Sequence, residues 1–274
     1  MKKEFKSLFN LKGKNAIVTG AAGILGNYFC MGLADVGANV AVVDINIEKA
    51  ELIAAELRQS YGVKAKGIYC NLTSEQSIKE MVETVVNEFG TINILHNNAA
   101  GKSSNLEAFF APFEEYELDQ WKEIMSTNLD SMFLVAKYVG KVMKEQEIGG
   151  SIIQTASIYG VMGPDNRIYE GSYYLDRQIN TPAIYSASKG GVVALTKYLA
   201  TYWAKDGIRV NTITPGGVES GQNETFKKNY ANRIPLGRMA QAEEMVGALI
   251  YLASDASSYV TGQNILIDGG LSAW

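Results

Sequence analysis

Two hydrophobic patterns alternate along the chain. Short runs rich in aliphatic residues occur at Ala16 to Thr19, Asn39 to Val43, Val63 to Tyr69, Ile92 to His96, Ser151 to Thr155, Arg209 to Thr214 and Asn264 to Ile267, and Gly, Asn, Asp, Ser or Pro follows closely after each. Runs of this length with such punctuation predict strands. Between them lie stretches with helical spacing: from the glycines after Thr19 to Gly37, Ile47 to Ser60, a segment ending near Phe89, Leu118 onward with Trp121, Ile124, Met125, Leu129 and Phe133 in register, Tyr185 to Lys205, and Glu243 to Leu252. Thr73 with Gln76 reads as a capping box opening the helix that ends near Phe89. Strands alternating with helices throughout predict an α/β fold, a parallel doubly wound sheet between two helical layers. No repeat, low-complexity tract or linker divides the 274 residues, so one domain spanning 1–274 is expected.

Composition removes several classes of function. At 47% hydrophobic the chain can bury a large core, while a net charge of -4 and a pI near 5.3, with no dense Lys/Arg stripe, argue against a nucleic-acid partner. Lys2, Lys3 and Lys6 open the chain but no signal-length apolar run follows, and nowhere do 18 apolar residues run together. A cytoplasmic protein without a membrane span is expected. Cys30 and Cys70 sit in apolar settings without partners at metal-ligand spacing, so they read as buried reduced thiols. The single histidine, His96, reads as a strand residue, and no metal site is expected.

Candidate chemistry centres on Tyr185-Ser186-Ala187-Ser188-Lys189, where four-residue spacing puts a phenol and an ammonium on one face of a helix. A phenol of ordinary pKa, about 10, is a poor base at neutral pH, and a neighbouring cation favours its ionised form. Upstream, Gly20-Ala21-Ala22-Gly23-Ile24-Leu25-Gly26 links a strand to a helix in the order of a phosphate-binding turn. Gly20 suits the tight turn, Gly23 the approach of a pyrophosphate and Gly26 the packing of helix on sheet. Asp44 ends the next strand, 24 residues after Gly20, where a carboxylate can accept both ribose hydroxyls of an adenosine. It also repels a 2'-phosphate, and no Arg or Lys lies between Gly20 and Asp44, so NAD is favoured over NADP. Asn97 and Asn98 end another strand, and Asn128 is polar within an apolar helical stripe, as a satisfied core amide or a holder of structural water.

Taken together, the residues resemble the short-chain dehydrogenases/reductases in their single-domain form. The resemblance runs from Lys14 to Gly270 and rests on Thr19-Gly20 with its glycine turn, Asp44, Asn97-Asn98-Ala99, Asn128, Ser157, Tyr185-x-x-x-Lys189, Asn211, Pro215-Gly216 and Thr261-Gly262-Gln263. It implies a Rossmann fold, with Tyr185 as general acid/base, Ser157 hydrogen-bonded to the substrate oxygen, Lys189 lowering the tyrosine pKa and binding the nicotinamide ribose, and Asn128 holding the water of a proton relay. It further implies that Gly20, Gly23, Ile24, Leu25, Asn98, Ala99 and Ala100 meet the cofactor, that Asn71 and Leu72 flank the adenine, and that Pro215, Gly216 and Val218 line the nicotinamide. A homotetramer is usual for the family. The turn departs from the usual G-x-x-x-G-x-G, Asn71 stands where Asp is common, Ala100 where Gly is common, and Ser220 where Thr is common.

Ser157 and Tyr185 stand 28 positions apart, about twice the family's separation, so an insertion at 161–183 is expected near the substrate mouth. It holds Arg167 and Arg177, its only guanidiniums, with other polar residues and Tyr169, Tyr173 and Tyr174, whose ring faces suit sugar C–H surfaces. This favours a small polar substrate, a sugar, sugar acid or sugar phosphate, touched by Arg167, Tyr169 and Arg177 beside Ser157 and Tyr185. A surface lid or a subunit contact is the other reading of the same segment. Two alternatives to an NAD-dependent alcohol dehydrogenase stand beside it: an NADPH-dependent 3-oxoacyl-type reductase, opposed by Asp44, and an inactive dinucleotide-binding protein, which has no need of Asn128, Ser157, Tyr185 and Lys189 together.

Overall fold

The computed structural model describes residues 5–103, 105–174 and 177–274, with the side chains of 174, 177 and 178 outside that description. The chain runs through β1 (Asn15–Thr19), α1 (Ile24–Asp35), β2 (Asn39–Asp44), α2 (Ile47–Tyr61), β3 (Ala65–Tyr69), α3 (Glu75–Phe89) and β4 (Ile94–Asn97). A one-turn α4 (Leu106–Phe109) precedes α5 (Leu118–Met125), α6 (Ser131–Glu145) and β5 (Gly150–Thr155). A small antiparallel hairpin, β6 (Tyr173–Tyr174) and β7 (Arg177–Gln178), lies in the insertion before α7 (Ala183–Tyr202), and β8 (Ile208–Pro215), α8 (Glu224–Ala231), α9 (Val246–Ala253) and β9 (Asn264–Ile267) follow.

Seven strands form one parallel sheet in the order β3-β2-β1-β4-β5-β8-β9. Alternate residues of β1 face opposite layers. Ala16 and Val18 pack with Phe29 and Leu33 of α1, Leu57 of α2 and Leu249 of α9. Ile17 packs with Met81 of α3, Val139 of α6 and Leu199 of α7. Both faces of the sheet are therefore dry, which is why its strands read as continuous apolar runs. Parallel strands send all their carboxyl ends to one edge, and the order reverses between β1 and β4, opening a crevice there.

Local chemistry departs from the sequence reading at two places. Ser74, not Thr73, caps α3: its Oγ accepts from Ser77 N at 3.3 Å, while the Thr73 hydroxyl donates to Asn71 Oδ1 at 2.8 Å. The nearer asparagine oxygen, which also accepts Thr73 N–H, captures that threonine in a local turn. The helix expected from Leu118 onward is not regular, because Ser126–Asp130 form a π-helical turn between α5 and α6, with Asn128 in its middle. Periodicity carries no signature of such a bulge.

Cys30 and Cys70 are free and buried; burial pushes both thiols up, Cys70 to about 11, so neither is a nucleophile at neutral pH. His96 is fully buried on β4, its Nε2 2.9 Å from Thr155 Oγ1, and burial lowers its pKa to about 3, so it stays neutral. Among the described residues no helix is long and apolar enough to cross a membrane.

The amino end of the sheet depends on a buried amide. Asn15 Nδ2 donates at 3.0 Å to the carbonyls of Phe89 and Thr91 and to Thr91 Oγ1, and its Oδ1 accepts from Asn39 Nδ2 at 2.9 Å. It thus ties β1 and β2 to the α3–β4 connection. Asn15→Leu, apolar and of similar size, strands two carbonyls, so we expect about 2–4 kcal/mol lower stability in urea denaturation. A loss below about 0.5 kcal/mol would contradict this account.

Candidate active site

A cleft of about 430 Å³ opens at the carboxyl ends of β1, β4, β5 and β8. Its walls come from four junctions, each with its own reason to face inward. After β1, Gly20 turns at φ +64° and Gly26 lets α1 start against that turn, since a Cβ there would lie 2.1 Å from Gly20 O. Gly20, Gly23, Ile24 and Leu25 line the cleft, and no side chain caps α1, which leaves the helix amide groups free for an anion. These features fit a dinucleotide pyrophosphate.

After β4, the Thr19 hydroxyl accepts the backbone N–H groups of Asn98 and Ala99 at 3.0 and 3.1 Å, while Asn98 Nδ2 donates to Thr19 O at 3.2 Å. This clamp holds Asn98, Ala99 and Ala100 in the cleft wall. Asn97 points the other way, donating to Met132 O of α6 at 2.8 Å. After β8, Pro215, Gly216 and Val218 complete the lining.

The reactive groups come from β5 and α7. Ser157, in extended backbone just past β5, Tyr185 and Lys189 all line the cleft. Lys189 is 1% exposed, its Nζ donates to Thr155 O at 3.0 Å, and burial lowers its pKa to about 8. Burial pushes the Tyr185 phenol up, and the Ser157 hydroxyl, hydrogen-bonded to it, pulls it partly back. The two hydroxyls are thus paired in the same cleft as a desolvated ammonium. Loop and helix come this close because residue 160 has no side chain: a Cβ on Gly160 would lie 2.6 Å from the Lys189 carbonyl carbon.

Asn128 lies outside the cleft lining, in the π-helical turn that packs on α7. Its Oδ1 accepts Gly101 N–H at 2.8 Å and its buried Nδ2 has no partner, which fits a water-holding amide. Asp44 closes β2 beside the turn: Oδ2 accepts Ala22 N–H and Oδ1 accepts Asn46 N–H, both at 2.9 Å. Asn71 and Leu72 do not line the cleft; Asn71 is occupied with Thr73, and Leu72 packs against the core under α3.

The insertion corrects the expected substrate contacts. Arg167 does not reach the cleft; its side chain is 74% exposed and its guanidinium is held by Asp165, Nε to Oδ1 at 2.9 Å and Nη2 to Oδ2 at 2.8 Å. Tyr169 is buried, its hydroxyl bonded to Thr181 Oγ1, within an apolar cluster with Ile158, Tyr230 and Leu271. The Arg177 side chain lies outside the described residues. Sequence reasoning missed Lys102, Thr155 and Ala156 in the lining. Thr155 and Ala156 were open to it, since they follow directly from the rule that parallel strand ends face the crevice; nothing in the sequence marks Lys102.

The family profile described as Enoyl-(Acyl carrier protein) reductase matches residues 20–272. The NADP-dependent mannitol dehydrogenase of Alternaria alternata is 36% identical, covering 97% of this chain and 95% of its own. The D-threitol dehydrogenase of Mycolicibacterium smegmatis is also 36% identical, over 96% of this chain and 94% of its own. A crystal structure of a short-chain type dehydrogenase/reductase from Mycobacterium marinum superposes with a TM-score of 0.86 at 33% identity, covering 99% of this chain and 100% of that one.

Gly160→Ala separates two functions of this region. The added methyl forces the Ser157 turn off α7, so kcat should fall at least about tenfold while dinucleotide binding, followed by quenching of tryptophan fluorescence, changes less than about threefold. Equal losses in both would assign Gly160 to the fold alone.

Proposed function

The chain belongs to the short-chain dehydrogenase/reductase family, enzymes acting on CH–OH groups, and from that premise we propose that it is an NAD-dependent dehydrogenase of a small polyhydroxylated substrate, a sugar, sugar alcohol, sugar acid or sugar phosphate. In this reading it is one catalytic domain, cytoplasmic, with the 161–183 insertion on its substrate side. The observation that carries it is the meeting of Ser157, Tyr185 and Lys189 in the same cleft as the glycine turn.

NAD, when bound, supplies the hydride acceptor for alcohol oxidation. Ser157 Oγ anchors the substrate oxygen, and Tyr185 Oη takes the hydroxyl proton or, in the reverse direction, returns it. The Lys189 ammonium offsets the charge left on Tyr185 when it gives up its proton, at a site where burial makes that charge expensive. Asn128, through its unpartnered Nδ2, holds the water that carries the proton outward. Walls of backbone and small side chains fix the geometry, so orientation does much of the remaining work.

Asp44 supports NAD over NADP. Its carboxylate is held at the end of β2 by two backbone amides, positioned to accept ribose hydroxyls and to oppose a 2'-phosphate. Against this stands the NADP-dependence named for the Alternaria relative, and the profile's description, a reductase of acyl carrier protein substrates, keeps the second reading, an NADPH-dependent 3-oxoacyl-type reductase, beside it. We further propose a homotetramer formed through the helical layer around α5, α6 and α7, where Leu118, Phe133, Tyr198 and Tyr202 are exposed and the last two rings stack. Light scattering at micromolar concentration tests it, a monomer being the contrary result.

Initial rates with NAD and with NADP across polyols, aldonates, sugar phosphates and a 3-oxoacyl thioester test the assignment, and faster acyl reduction with NADPH would select the second reading. Tyr185→Phe should bind NAD normally and lose at least about a thousandfold in kcat; near-normal turnover would remove Tyr185 from its role. Because burial keeps the phenol protonated to higher pH, its base form grows as pH rises, while Lys189, lowered to about 8, loses its charge above that pH: kcat/KM for oxidation should climb from pH 7 toward 8 and then level off or fall, and that for ketone reduction should fall. A flat profile in both directions contradicts this. Asp44→Ala should weaken NAD and narrow its advantage over NADP, measured as the ratio of kcat/KM values. A wild-type preference for NADP would refute the cofactor assignment.

A further inference from the structure

The strands behind Ser157 and behind residues 215–218, β5 and β8, are neighbours in the sheet, which joins them as far as Ala156: its N–H donates to Ile213 O at 2.9 Å. Beyond that bond the two chains part. One enters the turn that carries Ser157, and the other runs along the cleft through Pro215, Gly216 and Val218. The second segment is bonded on its own side: Gly216 N–H donates to Ile267 O of β9, across β8 from β5, and Gly217 O accepts Ala240 N–H, both at 2.9 Å. Two tyrosines reconnect the walls.

Tyr159 stands two residues after Ser157, and its backbone N–H donates to Ser157 Oγ at 3.3 Å. Tyr230, on α8, is 3% exposed, and its ring lies against the backbone of Gly217, where a Cβ would come within 2.4 Å of Cε1. The two phenols are hydrogen-bonded to each other, and Gly217 N–H donates to the Tyr230 hydroxyl. Ile158, between Ser157 and Tyr159, packs in the same apolar cluster as Tyr230. Ser157, Tyr159, Tyr230 and Gly217 thus form one line from wall to wall, in a dry setting where hydroxyl pairs are strong. The φ of Gly217 lies outside the left-handed region, so it is the Tyr230 ring and not a backbone angle that calls for glycine there.

What this line controls follows from the chemistry proposed above. The substrate oxygen is anchored through Ser157 and Tyr185, and the dinucleotide is held in part by the wall after β8. Binding at either wall depends on that wall alone, whereas hydride transfer depends on the separation of the two, and a misplacement of about 1 Å can cost about a hundredfold in rate. We propose that Tyr159 and Tyr230 are positioning residues, which hold the serine turn and the wall after β8 at the separation that hydride transfer requires. The proposal rests on the dehydrogenase reading and adds to it two residues that stand outside the cleft lining.

Tyr159→Phe and Tyr230→Phe keep the rings and remove one hydroxyl each. Tyr169→Phe is the control: its phenol belongs to the same cluster and bonds to Tyr159 and Thr181, but it stands outside the line. Melting temperatures verify that all three fold. On the best substrate of the rate panel, kcat should fall about tenfold in Tyr159→Phe and in Tyr230→Phe, while KM and dinucleotide binding, followed by tryptophan quenching, change less than about threefold. The double variant should lose less than the product of the two single losses, because both break the same bond. In Tyr169→Phe kcat should stay within about threefold of wild type. In the dinucleotide-free protein, hydrogen exchange of the peptide spanning 215–223 should quicken in Tyr230→Phe, which frees Gly217 N–H, and keep the wild-type rate in Tyr169→Phe. Unchanged kcat in Tyr159→Phe and Tyr230→Phe, unchanged exchange in Tyr230→Phe, or an equal loss of kcat in Tyr169→Phe overturns the proposal and leaves the dehydrogenase assignment standing. A panel without turnover overturns that assignment and the proposal with it.

Discussion

A buried ammonium on the last carbonyl of a central strand holds this site together. Lys189 has almost no exposure, and its Nζ donates to Thr155 O at the end of β5. Removing a lysine from water is costly, and the cost shows as a pKa lowered to about 8. In return the bond pins α7 across the strand ends, which sets the position of Tyr185 one turn earlier and, through it, of the Ser157 hydroxyl. The bare backbone at Gly160 permits that approach. The glycine turn, Asp44 and the Thr19 clamp are built independently of it, so in the proposed function binding and proton transfer rest on separate sets of bonds.

The insertion adds a second, smaller core to the family's layers. Ile168 and Tyr169 pack with Tyr230, Ile234 and Leu271, while Asn223 and Asn229 donate to Ser172 Oγ and Glu170 O. The phenol of Tyr159 is hydrogen-bonded to those of Tyr169 and Tyr230, with burial the main reason all three pKa values rise. Hydroxyls bridging two loops in a dry setting strengthen one another and stiffen what they join. The segment is therefore built into the body of the protein beside α8.

Much of the architecture was legible because its causes are local. A strand dry on both faces must be continuously apolar, and a turn that admits a phosphate must be rich in glycine. Tyr185, Lys189, Ser157 and Asp44 were legible through spacing and a family resemblance. What escaped depends on geometry that spacing does not encode. The π-helical turn at Asn128 shifts register without changing composition, and Ser74 displaced Thr73 as a cap because Asn71 competed for it. Arg167 looked free for an anion, yet Asp165 two residues earlier had already claimed it.

The small core of the insertion has a consequence for how the enzyme comes into being. Residues 158–179 leave the ribosome before their partners at 226–239 and 271 exist. The first four strands, by contrast, pair only with one another and with β5, although α1 packs on α9 and must wait for it. Contacts between distant parts of a chain form late. During synthesis the pairing of the first five strands can thus precede the small core of the insertion, which waits for residues 226–239 and 271.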